Sequence, residues 1–273
     1  MTPMVFENLA FENADGLRLA GRLALPDGRP AAYALFAHCF TCGKDVKAAF
    51  HISKTLTQAG LAALRFDFTG LGESQGDFAA TNFSTNVSDL IAAARFMVDR
   101  GMAPSVLIGH SLGGAAVIRA AAAIPSARAV AVIGTPAAPA HVKQHFAGAQ
   151  ARIESEGQAE VHLAGRSVRI KKQFVEDVDQ VNMETALDQL NCALLIMHAP
   201  GDDVVGIENA GRIFRAARHP KSFVALDGAD HLLADPADAR YAGHLIAAWA
   251  GRYIAGSDSP AMGNERPASR TTE

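Results

Sequence analysis

Ser111 stands in the stretch Gly109-His110-Ser111-Leu112-Gly113, directly after the apolar run Val106-Leu107-Ile108 and ahead of an alanine-rich segment. A serine hydroxyl attacks a carbonyl only when a base takes its proton and nearby donors hold the developing negative charge. G-x-S-x-G between a strand and a helix supplies the geometry. The turn is so tight that the serine sits in a strained backbone conformation, its hydroxyl exposed at a helix N-terminus. Side chains at 109 and 113 would collide there, so both positions are glycine. A plain glycine-rich strand–helix turn is the simpler alternative; the strand before and the helix after favour a nucleophile for acyl transfer.

The base and its orienting carboxylate come later. His231 lies in Asp227-Gly228-Ala229-Asp230-His231-Leu232-Leu233, just past a strand pattern, so its loop turns back across the strand ends towards Ser111. Of the ten histidines, His38 and His110 belong to or flank neighbouring motifs, and His198 reads as a packed histidine at a strand end. His198-Ala199-Pro200-Gly201-Asp202-Asp203-Val204-Val205 fits H-G-x-x-D-x-x-V at His198, Asp202 and Val205. Asp202 is therefore the expected orienter of His231 and Asp203 the alternative, with a solvated Asp-Asp turn as the plainer reading. The order Ser111, Asp202, His231 suits this arrangement.

Two backbone N–H groups should form the oxyanion hole. One is that of Leu112, directly after the nucleophile. The other is that of Phe40 in His38-Cys39-Phe40-Thr41, where cysteine replaces the glycine of the common H-G-F form. Cys39 and Cys42 also make a C-x-x-C pair. Such a pair serves a redox site or half a metal site, but zinc needs about four ligands and no second C-x-x-C exists. No metal and no cofactor are expected. A disulfide between Cys39 and Cys42 would straddle Phe40, so oxidation would tune or disable the oxyanion hole. Two small packed thiols are the plainer alternative. Cys192 is alone in an apolar run.

These residues need a frame that brings distant loops together. Residues 4–25 read as two strands around the turn 13–16. Short apolar strands then alternate with helices at 45–59, 84–100 (N-cap Ser84, stop Gly101), 112–124, 206–217 and 237–254. Strands apolar throughout are buried on both faces, which points to an α/β fold with a mostly parallel central sheet and helices on both faces. Residues 137–190 break the rhythm with three Arg, three Lys and a hairpin-like alternation around 164–166. They are read as a small cap over the strand ends, a long surface loop being the alternative. A single domain spans 1–254, and 255–273 reads as a flexible tail.

Composition limits the function classes. Hydrophobic residues make up 49% of 273, enough for a large core, and the net charge of −3 comes with no basic block. Nucleic acid and anionic membrane surfaces are therefore not expected partners. No apolar run reaches the roughly 18 residues of a membrane span, and the start lacks a secretory pattern. Three cysteines, an odd count, argue against a disulfide framework and for a reduced, cytoplasmic setting.

Taken with "DFTGLGESQG" (67–76), similar to a D-x-x-G-x-G-x-S loop, these motifs resemble the α/β-hydrolase superfamily from about residue 10 to 254. "AHCFTCGKD", "NFSTNVSDLIAA" and "IGTPAAPAHV" are similar to one subgroup, bacterial hydrolases found beside or fused with an OsmC-type peroxidase domain. The resemblance implies an α/β-hydrolase fold with a small cap insertion, a cytosolic bacterial serine esterase, and an OsmC-type peroxidase as partner. Dehalogenases and epoxide hydrolases of this fold carry an aspartate where Ser111 stands. Oil-droplet lipases usually carry a larger apolar lid. Short- to medium-chain acyl esters are the expected substrates, and thioesters and peptides use the same triad. The rival is a redox-responsive partner of a peroxidase that keeps the hydrolase scaffold.

Overall fold

The computed structural model describes residues 5–163 and 166–254. Its strands are β1 (Val5–Glu12), β2 (Arg18–Leu25), β3 (Ala32–Ala37), β4 (Leu61–Phe66), β5 (Pro104–His110), β6 (Ala129–Ile133), β7 (Gln158–Leu163), β8 (Arg166–Lys171), β9 (Ala193–His198) and β10 (Lys221–Ala225). Its helices are α1 (Lys47–Gln58), α2 (Phe83–Asp99), α3 (Leu112–Ala121), α4 (Gln150–Glu156), α5 (Lys172–Gln180), α6 (Met183–Asp188), α7 (Glu208–Ala216) and α8 (Pro236–Ile254).

Eight strands form one sheet in the order β1-β2-β4-β3-β5-β6-β9-β10. β2 runs antiparallel to β1 and to β4, and the pairs from β4 to β10 are parallel. The antiparallel start thus forms one edge, as its turn residues suggested. β4, β6 and β9 are buried at every residue. Their alternate side chains feed two separate cores, as the pleat requires. In β9, Leu194 and Ile196 join the core of α2, α3 and α7, whereas Leu195 and Met197 join that of α1 and α8.

α2 begins one residue earlier than expected, and Ser84 is not its N-cap. Asn82 is. Its side chain accepts from the Thr85 N–H at 2.8 Å, and Thr85 Oγ1 accepts from the Asn82 N–H at 3.3 Å, a reciprocal capping box. Ser84 serves another purpose. Its N–H and hydroxyl donate to the Asp177 carboxylate of α5 at 2.8 and 2.6 Å, which tethers α5 to the first turn of α2. α3 ends at Ala121, three residues before the expected end.

Residues 139–188 stand outside the sheet: a 3-10 stretch Pro139–Ala149, α4, the β7–β8 hairpin, α5 and α6. Val142, Phe146, Ile153, Ile170, Phe174 and Val178 are buried in the same core as α2 and α3. This segment is therefore folded structure, not a long loop. Residues 164–165 of the expected hairpin turn and the expected tail at 255–273 lie outside the described residues. Among the described residues, no helix is long and apolar enough to cross a membrane.

Candidate active site

Ser111 sits between β5 and α3 at φ 54°, ψ −127°. The sheet itself holds it there, since the Ser111 N–H donates to the Ile133 carbonyl of β6 at 2.8 Å. The glycines are required by contact. A Cβ on Gly109 would lie 2.5 Å from the Gly113 carbonyl oxygen, and one on Gly113 would lie 2.3 Å from that of His38. Absence of both side chains lets the start of α3 press against β5 and the loop after β3. Leu112 is the first residue of α3, where N–H groups have no intrahelical acceptor. The Phe40 N–H makes no hydrogen bond among the described residues.

Three distant loops meet at the serine. His231 lies between β10 and α8, and its Nε2 is 3.1 Å from Ser111 Oγ. Its Nδ1 is 2.8 Å from Asp202 Oδ2 in the loop after β9. Asp202 Oδ1 accepts from the Val204 and Val205 N–H groups at 2.9 and 2.8 Å. Burial alone would raise the Asp202 pKa, but the His231 hydrogen bond and these two donors outweigh it and hold the carboxyl below its ordinary value. Asp202 is buried and Asp203 is exposed, so only the former is brought to His231. An ionised Asp202 accepts a hydrogen bond from the Nδ1–H, which leaves Nε2 as the unprotonated nitrogen aimed at the serine hydroxyl.

The other histidines hold these loops in place, a role their sequence positions do not reveal. His110 Nε2 donates to the His231 carbonyl at 2.7 Å, His198 Nε2 to the Val205 carbonyl at 2.7 Å, and His38 Nδ1 to the Cys39 carbonyl at 2.9 Å. His141 Nε2 reaches the Val204 carbonyl at 2.9 Å. The second ring nitrogens of His38, His110 and His198 are buried without a partner among the described residues. At His38 and His110 a proton there would be a buried, unpaired donor. Burial accordingly lowers the pKa of His38, and brings that of His110 down to about 4, helped by the nearby His231. Gly134, after β6, is another position the motifs do not flag. At φ 53° it passes under the His231–Asp202 pair, and a Cβ there would lie 3.2 Å from Nδ1 and 3.3 Å from Oδ2.

Cys39 and Cys42 are joined by a disulfide, and Cys192 is free. One local bridge is present although the odd count argued against a framework of them. Among the described residues, no three His, Cys, Asp or Glu side chains gather into a metal-holding group. Behind Phe40 and Leu112 lies a void of about 10 Å³, walled by Phe68, Leu71, Phe78 and Ala116. A groove of about 1370 Å³ between α2 and α6 includes none of Ser111, Asp202 and His231, so size alone does not locate the chemistry.

Known proteins resemble this chain at both levels. The profile of the family described as serine aminopeptidase, S33, matches residues 30–156, a span that includes Ser111. The esterase domain of a Rhodothermus marinus protein is 49% identical, with a TM-score of 0.74 over 92% of this chain and 100% of that one. Est1E from Butyrivibrio proteoclasticus, with ferulic acid bound, shares the fold at 20% identity and a TM-score of 0.74, covering 90% of this chain and 99% of its own. The mitochondrial palmitoyl-protein thioesterase of Mus musculus is 27% identical over 66% of this chain and 62% of its own length.

Proposed function

The chain belongs to the α/β-hydrolases, and from that premise we propose that it is a serine carboxylesterase for short- to medium-chain acyl esters. The observation that carries the reading is the hydrogen-bonded series Ser111–His231–Asp202, with Nε2 at 3.1 Å and Nδ1 at 2.8 Å from its partners. His231 takes the Ser111 proton as Oγ attacks the ester carbonyl. The N–H groups of Phe40 and Leu112 receive the oxyanion. The tetrahedral intermediate collapses, His231 gives its proton to the leaving alcohol, and an acyl-serine remains. Water then repeats both steps and releases the acid. Asp202 stays ionised and stabilises the imidazolium of His231 without taking its proton. The 49% identical esterase domain supports ester chemistry.

Thioester hydrolysis is the second reading, favoured by the likeness to the mouse thioesterase, and it uses the same residues. The test is hydrolysis of p-nitrophenyl esters from two to twelve acyl carbons, beside acyl-thioesters of equal length and the Ser111→Ala variant. Ester turnover that vanishes in Ser111→Ala is the expected result. Full activity in that variant removes the serine from the mechanism. A redox-responsive partner of an OsmC-type peroxidase, the remaining alternative, predicts that a serine-directed phosphonate leaves Ser111 unlabelled.

A further inference from the structure

The ester mechanism leaves one piece of chemistry beside its oxyanion site unused. The Cys39–Cys42 disulfide encloses only Phe40 and Thr41, with Cα atoms 5.3 Å apart, and the Cys42 N–H donates back to the Cys39 carbonyl at 3.1 Å. Thr41 is held at φ 58°, a left-handed conformation that a β-branched residue rarely adopts. Cys39 is buried, whereas Cys42 reaches solvent. The flanks of this turn are anchored independently of the bridge. Upstream, His38 bonds the Cys39 carbonyl and β3 is paired on both sides. Downstream, the Lys44 N–H and Nζ donate to Asp67 at 2.6 and 2.7 Å, and Arg65 Nη1 donates to the Lys44 carbonyl at 2.7 Å. The bridge therefore constrains the Phe40 peptide and little else.

We infer that the Cys39–Cys42 bridge is a thiol-exchange site that sets the competence of the oxyanion hole, the disulfide form being the active one. This rests on the reading of Phe40 as an oxyanion donor. With the bridge intact, Thr41 keeps its unfavourable φ and the Phe40 N–H stays where Leu112 needs its partner. With the bridge broken, Thr41 relaxes towards ordinary backbone angles and the Phe40 peptide turns with it. The reductant is a dithiol. Its thiolate attacks Sγ of Cys42, the less buried residue of the pair. The S–S bond breaks and Cys39 leaves as a thiolate. The second thiolate of the reductant then attacks the mixed disulfide and frees Cys42. Two electrons pass from the dithiol, which departs as a disulfide, and its two protons are balanced by those taken up at Cys39 and Cys42. Cys192 does not compete, because burial pushes its thiol up to about 12.

The experiment uses the full chain in both forms, each verified by thiol alkylation and intact mass. Turnover of p-nitrophenyl acetate and amide hydrogen exchange over residues 39–43 are compared between them and with Cys39→Ser/Cys42→Ser. Loss of one oxyanion donor costs about 10²–10³-fold. The reduced form should therefore lose about 10²–10³-fold in kcat with KM little changed, exchange faster at 39–43, and recover on reoxidation. The double variant should sit at the reduced level and ignore the reductant. Equal turnover in two verified forms overturns the inference and leaves the esterase reading intact, as does turnover that rises on reduction. No turnover in either form, together with no phosphonate labelling of Ser111, overturns both.

Discussion

Gly134→Ala separates what the site needs from what the fold needs. Gly134 adopts φ 53°, and the added methyl would stand 3.2 Å from His231 Nδ1, 3.3 Å from Asp202 Oδ2 and 3.4 Å from His231 Cε1. An alanine in the left-handed region costs about 1 kcal/mol, which in a chain of this size lowers Tm by roughly 2–4 °C. The effect on turnover is larger, because the methyl presses on the one hydrogen bond that sets the imidazole tautomer, now 2.8 Å long. Complete loss of that control costs about 10⁴ in kcat. A displacement of a few tenths of an ångström should cost about 10–100-fold, or roughly 1.4–3 kcal/mol of transition-state stabilisation. KM should hardly change, since the methyl meets the base and its orienter and not the substrate. The assay is steady-state hydrolysis of p-nitrophenyl acetate with a thermal melt on the same preparation. A kcat within about twofold of the parent, at the lowered Tm, would refute the claim that Gly134 serves the His231–Asp202 pair.

Other outcomes follow from the same geometry. Asp202→Asn should lose about 10⁴ in kcat, while Asp203→Asn, at an exposed position, should stay near the parent; similar losses in both would remove Asp202 as the orienter. His110 is lowered from 6.5 to about 4, so the unfolded chain binds its proton first and stability falls as pH drops through that window. The gap corresponds to roughly 3 kcal/mol. His231, Asp202 and His38 are the titratable groups that face it. Urea melts at pH 7 and pH 4 should show a smaller acid loss in His110→Gln, by up to about that amount, and an unchanged difference would refute the assignment. Lys44→Met removes the buried cation on Asp67, whose side chain is 2% exposed, and should destabilise the fold by about 3–5 kcal/mol in the same assay. A loss under about 1 kcal/mol would show that Asp67 is held by its backbone donors alone.

Much of the site can be read without coordinates because its chemistry is local at each position. Ser111 announces itself through glycines two residues either side, and each proves to be a close contact. Asp202 is separated from Asp203 by its offset from His198 and Val205, which reflects a single loop conformation. The alternating sheet is legible because strands buried on both faces leave no polar period. What escapes the sequence is contact across the fold. Nothing near residue 110 says that its ring meets the carbonyl of residue 231, and nothing near Gly134 says that a histidine lies above it. Asn82 rather than Ser84 caps α2 because a cap depends on which residue is extended, and Asp177, 93 positions away, takes the serine. Both residues are common caps, so composition could not choose between them.

Ser111 and His231 are 120 residues apart, with the sheet strands β6, β9 and β10 between them, and Asp202 lies 29 residues before His231. On the proposed mechanism, residues up to β6 hold the nucleophile and both oxyanion donors but neither base nor orienter. A nascent chain that ends at β6 lacks both groups and, on the proposed mechanism, is chemically inert. Contacts of such long sequence separation form late and slowly. Recovered activity should therefore report the docking of the loop after β10, and in refolding it is expected to lag behind the return of helix and sheet.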